Sequence, residues 1–282
     1  PYLLPRARWG YRLGHAELTD GMYRDGFNDP LSGLVMGETA EVLAERSGIT
    51  RAEADRYAAE SQNRCEAARE NGRFDREISP VDITDRKKNT VTVSRDEHPR
   101  DGVTAESLSR LKTVFRDGGT VTAGNASGIT DGAAAVLVAS EDRARELGLR
   151  PDARLIDWTV VGVDPEVMGI GPVPAVKKLL KRNQIDSALI DQIELNEAFA
   201  SQVLACLKEL PFERERVNPD GGAIALGHPI GCTGARILTT LIHGLAARQA
   251  SDGIAARQAR RGIATLCVSG GMGLAALVEM AE

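Results

Sequence analysis

The chain has 282 residues, 42% hydrophobic and 27% charged, with a formal net charge of −5 and a pI near 5.6. That size allows one large or two ordinary domains with ample core, and the acidic balance argues against a nucleic-acid binder or a basic membrane-surface protein. No apolar run approaches the roughly 18 residues of a membrane span, and a cytoplasmic protein with neither signal peptide nor metal site is expected.

Residues 1 to about 35 read as irregular, with aromatic and basic residues clustered at Arg6, Arg8, Trp9, Tyr11 and Arg12. From Glu38 the pattern turns helical, with Ala40, Leu43 and Ala44 on one face and Gly48 as the stop. Thr50-Arg51-Ala52-Glu53 is a capping box that starts a second helix, ended near Asn71 by Gly72. Cys65 falls on that helix's inward stripe and is expected in the core. Two short β-type runs, 81–83 and 91–93, stand among charges that read as a solvated face. Arg100 and Lys112 are the local candidates for meeting an anion.

Residues 120–140, TVTAGNASGITDGAAAVLVAS, form a Gly-, Asn- and Ser-rich loop feeding an apolar run. Ala133–Ala139 is expected as a buried strand, with Ser140 capping a helix that Gly148 ends. Pro151 opens the next unit. It comprises a strand over 154–163, a Gly-rich loop over 167–172, a helix over 175–181, a strand over 193–195 and a helix to about Leu210. Alternating strands and helices in this order predict a layered α/β fold with mainly parallel strands. Asn196 lies where strand gives way to helix, a common place for a helix cap and also where open α/β sheets gather reacting groups.

Residues 221–234 hold five glycines around His228-Pro229. Neither the dinucleotide fingerprint nor the P-loop spacing fits. Pro229 fixes the turn after His228, and Thr233-Gly234 open a helix through Ile237, Leu238, Leu241, Ile242 and Leu245. His228 therefore stands on a rigid loop ahead of a helix N-terminus, either capping backbone or doing chemistry. Residues 262–268 read as a strand with Cys267 at its tip, Ser269-Gly270-Gly271 as a turn, and 274–280 as a return strand. The four cysteines, Cys65, Cys206, Cys232 and Cys267, lack zinc spacing and read as free thiols. A nine-residue tandem repeat spans 246–263, and Gly253 is expected to break the helix there and leave the extra copy on the surface.

Taken together, Asn196-Glu197-Ala198-Phe199, GGAIALGHPIGCTGAR (221–236) and LCVSGGMG (266–273) resemble the thiolase family, the acyl-CoA C-acyltransferases. TVTAGNASGITDGAAA, VGVDPEVMGIGPVPA (161–175) and the 36–74 segment with MGETAE and SQNRCEAARENGRF match the same family in the same order. The resemblance implies a fold of two similar halves stacked in five αβαβα layers. It places a loop domain that binds coenzyme A over 1–129, the end of an N-terminal domain over 130–150 and a C-terminal domain over 151–282.

It further implies that His228 takes the proton of a nucleophilic cysteine and donates to the thioester oxygen, with a water held by Asn196 as second donor. Cys267 becomes the acid/base thiol that moves the α-proton, a task that suits a thiol because its pKa is nearer neutrality than a hydroxyl's. The amide of Ser269 stands where the family commonly has glycine in an oxyanion hole. Coenzyme A, a co-substrate rather than a tightly bound cofactor, maps to Arg100, Phe115, Ala123, Ser127, Met36, Met168, Ala198 and Phe199. None of the four cysteines matches the nucleophile, which the family carries upstream of the segment matching Pro1. The isolated chain is therefore expected to be inactive. Val35-Met36-Gly37 and the Gly-Cys-Thr-Gly of the His loop resemble degradative 3-ketoacyl-CoA thiolases of β-oxidation. A biosynthetic acetoacetyl-CoA thiolase and a non-catalytic coenzyme A-binding scaffold are the alternatives, and a homodimer or homotetramer is implied.

Overall fold

A computed structural model describes residues 1–251 and 260–281. The first thirty-five residues hold β1 (Tyr2–Leu3), paired antiparallel with β2 (Thr19–Asp20), a 3-10 turn over Ala7–Trp9 and one π-helical turn over Tyr23–Phe27. α1 (Met36–Ser47) starts two residues ahead of Glu38 because that carboxylate reaches back to accept from the Val35 amide at 2.8 Å. Gly48 ends it in the left-handed region at φ 59°. α2 (Arg51–Glu70) begins at the expected capping box, with Thr50 N donating to Glu53 at 2.7 Å and Glu53 N to Thr50 Oγ1 at 3.2 Å. Its Cys65 is fully buried. β3 (Val81–Thr84) and β4 (Thr90–Val93) form an exposed antiparallel hairpin, followed by α3 (Ala105–Ser109).

Residues 133–139 do not form the expected buried strand. They carry no regular structure and lie on the surface, with Leu137 84% exposed. An apolar run becomes a strand only where a neighbour supplies hydrogen-bond partners, and none of the described residues does so here. Ser140 does cap α4 (Glu141–Glu146), accepting from Arg143 N at 3.2 Å.

The remainder is a layered unit built in the order β5 (Ala153–Gly162), α5 (Pro172–Asn183), β6 (Gln192–Leu195), α6 (Ala200–Glu209), α7 (Ala223–Leu226), α8 (Thr233–Ser251), β7 (Arg261–Val268) and β8 (Met272–Met280). Part of the Gly-rich loop winds into 3-10 turns over Pro165–Ile170, and Pro172 starts α5 earlier than expected, since proline suits a first helical turn.

The sheet order is β5-β8-β7-β6, and only β6 and β7 run parallel. The expectation of mainly parallel strands is thus corrected. Gly270 and Gly271, at φ 80° and 77°, fold β8 straight back onto β7. β8 then lies between β7 and β5 and opposes both.

Alternation along β7 and β8 sends successive side chains to opposite faces. Ile263, Ala275 and Leu277 pack with Val176 and Leu179 of α5, while Ala264, Val278 and Met280 pack with Ile237, Leu241 and Leu245 of α8. Three layers result: helix, sheet, helix. The expected helix break at Gly253 falls outside the described residues; α8 is described to Ser251.

Candidate active site

β6 ends at Leu195, and the next residue, Asn196, continues the ladder by donating its amide to Thr265 O on β7 at 2.9 Å. Asn196 is not a helix cap, because α6 has Phe199 at that place. Its side chain is free for other work and is buried at the carboxyl end of the parallel pair.

His228 arrives from the other side on a tightly bonded turn. Its amide donates to Gly128 O at 3.0 Å, and Gly227 before it takes φ 90°. An added Cβ at Gly227 would meet Thr130 at 2.5 Å, so only glycine lets the loop pass so close to residue 130. His228 Nδ1 lies 2.7 Å from Thr233 Oγ1, and Asn196 Nδ2 lies 3.3 Å from His228 Nε2.

The tautomer follows from proton counting. Thr233 Oγ1 donates its one proton to Pro229 O at 3.0 Å, so it accepts from Nδ1–H of the histidine. Nε2 is left with a lone pair, lightly held by the long Asn196 contact. Burial first, then the Arg236 guanidinium, pushes the ring down to about 4. The imidazole is therefore a neutral base across the physiological range.

Cys267, one residue before the end of β7, is buried in an apolar cluster with Met168, Ala198, Met36 and Phe199. Four of the eight positions expected to meet coenzyme A thus share one cluster with the thiol. Phe115 joins its rim, edge-on to Phe199 at 6.4 Å between ring centres. Ser127 joins from below, its amide and hydroxyl both donating to Ala198 O. Arg100 and Ala123 lie exposed. No hydrogen bond links Cys267 to His228 or Asn196 among the described residues; the connection is through Thr265, two residues from the cysteine on β7.

Burial pushes the Cys267 thiol up to about 12. This thiol holds its proton because its surroundings are dry. Ser269 does not adopt the left-handed conformation; the positive φ angles belong to Gly270 and Gly271.

Two supporting residues carried no assigned role in the sequence. Asp29, fully buried, accepts from the amides of Gly270, Leu31 and Ser32, and so moors the turn after Cys267 from 241 residues away. Burial alone would raise its pKa, but those amides outweigh it and hold the carboxyl low. Asn28-Asp29-Pro30 carries no local signal of such a distant partner. Thr233, by contrast, was legible as the start of α8 but not as the residue that sets the histidine tautomer.

Comparison with known proteins gives a consistent picture. The family described as thiolase, N-terminal domain, matches residues 1–142, and thiolase, C-terminal domain, matches residues 149–280. The chain is 49% identical over 279 residues to a probable acetyl-CoA acyltransferase of Staphylococcus aureus, covering 99% of this chain and 68% of that protein. It is 49% identical over 275 residues to an acetyl-CoA acetyltransferase of Pseudomonas aeruginosa, covering 98% of this chain and 68% of that one. Among solved structures, the Bacillus anthracis acetyl-CoA acetyltransferase superposes with a TM-score of 0.93 at 47% identity, covering 100% of this chain and 68% of that chain. Human mitochondrial 3-ketoacyl-CoA thiolase in complex with CoA superposes at 0.88 and 37% identity, over 100% and 68%.

Proposed function

The chain belongs to the thiolase family and is an acyltransferase of thiolase type, and on that premise we propose that His228, Asn196 and Cys267 carry the thiolytic cleavage of 3-ketoacyl-CoA by coenzyme A. The observation that carries this reading is the lone pair of His228 Nε2, held in one tautomer by Thr233 and faced by Asn196. A neutral imidazole so arranged takes the proton of an attacking thiol. As imidazolium it then donates to the oxyanion of the thioester, a contact typically worth about 2.7–4 kcal/mol.

Asn196 Oδ1 is buried and has no hydrogen-bond partner among the described residues, so it can accept from a water that serves as second donor. When the bond between Cα and Cβ of the 3-ketoacyl chain breaks, its electron pair remains as the enolate of acetyl-CoA. A thiol that keeps its proton at neutral pH suits the next step, in which Cys267 protonates that carbon. General acids of this kind contribute about 10²–10⁴-fold. The Cys267 thiolate then regains a proton from the incoming thiol of coenzyme A; that sulfur takes the acyl group from the acylated thiol, whose sulfur leaves and recovers the proton held on His228.

None of the four cysteines is hydrogen-bonded to the His228 ring among the described residues. The acylated thiol of the cycle is therefore assigned to residues other than these. For coenzyme A, the apolar group Met36, Met168, Ala198, Phe199 and Phe115 is the proposed seat of the pantetheine arm, with Ser127 and Ala123 beside it and Arg100 on the phosphates. The amide of Ser269, held at the Asp29-moored turn, is the proposed further donor. Residues 1–129 form the proposed loop domain, 130–150 the end of the N-terminal domain and 151–282 the C-terminal domain, with assembly as a homodimer or homotetramer in the cytoplasm.

The apolar Val35 ahead of Met36-Gly37, with the Gly-Cys-Thr-Gly of the His loop, favours longer acyl chains and the degradative direction. The acetyl-CoA acetyltransferase names of two relatives favour the second reading, a C4-specific biosynthetic enzyme. Comparing kcat/KM of the native enzyme on acetoacetyl-CoA and 3-ketooctanoyl-CoA decides between them. Equal or better use of the C8 substrate is expected, and strict C4 preference rejects the degradative reading.

A further inference from the structure

Beside Asn196 sits a carboxylate that the chemistry above does not use. Glu197 is 0% exposed, yet four donors from three parts of the chain converge on it. Tyr57 Oη donates at 2.8 Å and Ser61 Oγ at 2.6 Å, both from α2. Asn218 Nδ2 donates at 3.0 Å, and the amide of Ile224 in α7 at 3.1 Å. We propose that Glu197 is a positioning residue that fixes the separation of Asn196 and His228 by mooring the histidine loop to the end of β6. The proposal rests on the reading of that pair as the working pair of the site.

The tie is doubled on each side. Asn218, in the left-handed region at φ 45°, accepts from Leu195 N and donates to Leu195 O, each at 2.8 Å. The residue before Asn196 is therefore held by Asn218, and the residue after it holds the loop. Ser61, while donating to Glu197, accepts from the Gly222 amide at 3.1 Å. An added Cβ at Gly222 would stand 2.4 Å from Glu197 Cδ, so the loop backbone lies directly on the carboxylate.

Between Ile224 and His228 little slack remains. Leu226 N and Gly227 N donate back to Gly222 O and Ala223 O, each at 2.8 Å, and His228 N is tied to Gly128. A displacement at Ile224 passes along this turn to the ring.

All four partners give protons, and a carboxylate is acceptor-only with room for each. Glutamine would turn an NH₂ group toward two of them and leave a buried donor unpaired.

The test is ring titration of His228 by NMR in the 282-residue chain, which needs no turnover. The wild-type ring is expected to titrate near 4. In Glu197→Gln the loosened loop admits water, and the ring is expected to bind protons at least about tenfold more tightly, one pKa unit upward. His243, on α8 away from this tie, should titrate as before. Tyr57→Phe and Ser61→Ala each delete one donor and spare the carboxylate, so smaller shifts of the same sign are expected and cover the case where Glu197→Gln does not fold. Unchanged His228 titration in all folded variants overturns the proposal, because a residue that merely stabilises the core leaves the ring alone. A shifted ring in a protein that, in its native form, performs no thiolysis would sink the functional reading and leave the positioning role standing.

Discussion

Asn196 Nδ2 and His228 Nε2 face each other at 3.3 Å across 32 residues of sequence, one at the end of β6 and the other ahead of α8. Behind the histidine, Thr233 fixes which nitrogen keeps its lone pair. Thr233→Val removes that acceptor while keeping the shape. The wild-type ring is expected wholly as the Nδ1–H tautomer, and the valine variant as a mixture of both. Long-range ¹H–¹⁵N correlation spectra distinguish the two, and an unchanged tautomer in the variant would show that Thr233 does not set it.

Acid should act on stability through the same ring. His228 is pushed down to about 4 from an ordinary 6.5, so the folded protein binds this proton less readily than the unfolded chain. Its contribution is fully present above 6.5 and is lost as pH falls toward 4, at up to about 1.4 kcal/mol per pH unit. His228→Asn is expected to flatten the urea-unfolding free energy against pH across that window relative to wild type.

Glu194 should act with the opposite sign. It is fully buried beneath α8, where burial pushes its carboxyl up to about 8; Arg236 and the Gln192 amide pull the other way, while Asp220 and Glu77 add to the rise. The folded state thus holds a proton that the unfolded chain releases near 4.5. The stability this carboxyl gives is complete below about 4.5 and is lost as pH rises through about 8. Glu194→Gln, which cannot ionise, should gain on wild type by up to about 1.4 kcal/mol per pH unit between those limits. Parallel stability curves for the two proteins would refute the assignment.

The seat assigned to coenzyme A can be probed at Gly37. A Cβ there would come within 2.1 Å of the Phe115 ring, which is itself set edge-on against Phe199. Gly37→Ala must displace that ring, at a cost of about 1–3 kcal/mol. Calorimetric titration with coenzyme A is expected to show binding weakened at least about fivefold, and wild-type affinity would remove Phe115 from the site.

Thiol reactivity offers a direct check on the cysteines. Cys65 is pushed up to about 12 by burial, as is Cys267, and Cys206 is raised further still, whereas Cys232 is only partly buried. Iodoacetamide at neutral pH is expected to label Cys232 first and spare the others. Acetyl-CoA should acetylate none of the four, because none is bonded to His228. A peptide-mapped acetyl group on any of them would overturn that assignment.

Much of this was legible before any coordinate. The capping box at Thr50, the stop at Gly48, the helix from Thr233 and the Gly270-Gly271 reversal are set by residues within a few positions of each other, so local chemistry determines them. The family motifs likewise lie in short contiguous runs.

What only the tertiary structure decided is anything that depends on a distant neighbour. The same apolar character that makes a strand of residues 261–268 leaves residues 133–139 exposed, because ladder partners are supplied by other segments. Strand direction was misjudged because β8 inserts between β7 and β5, a pairing that no local pattern encodes. The pKa values of His228 and Cys267 were out of reach for the same reason: they are set by dryness and by charges from elsewhere in the chain, and burial is a property of the packed molecule.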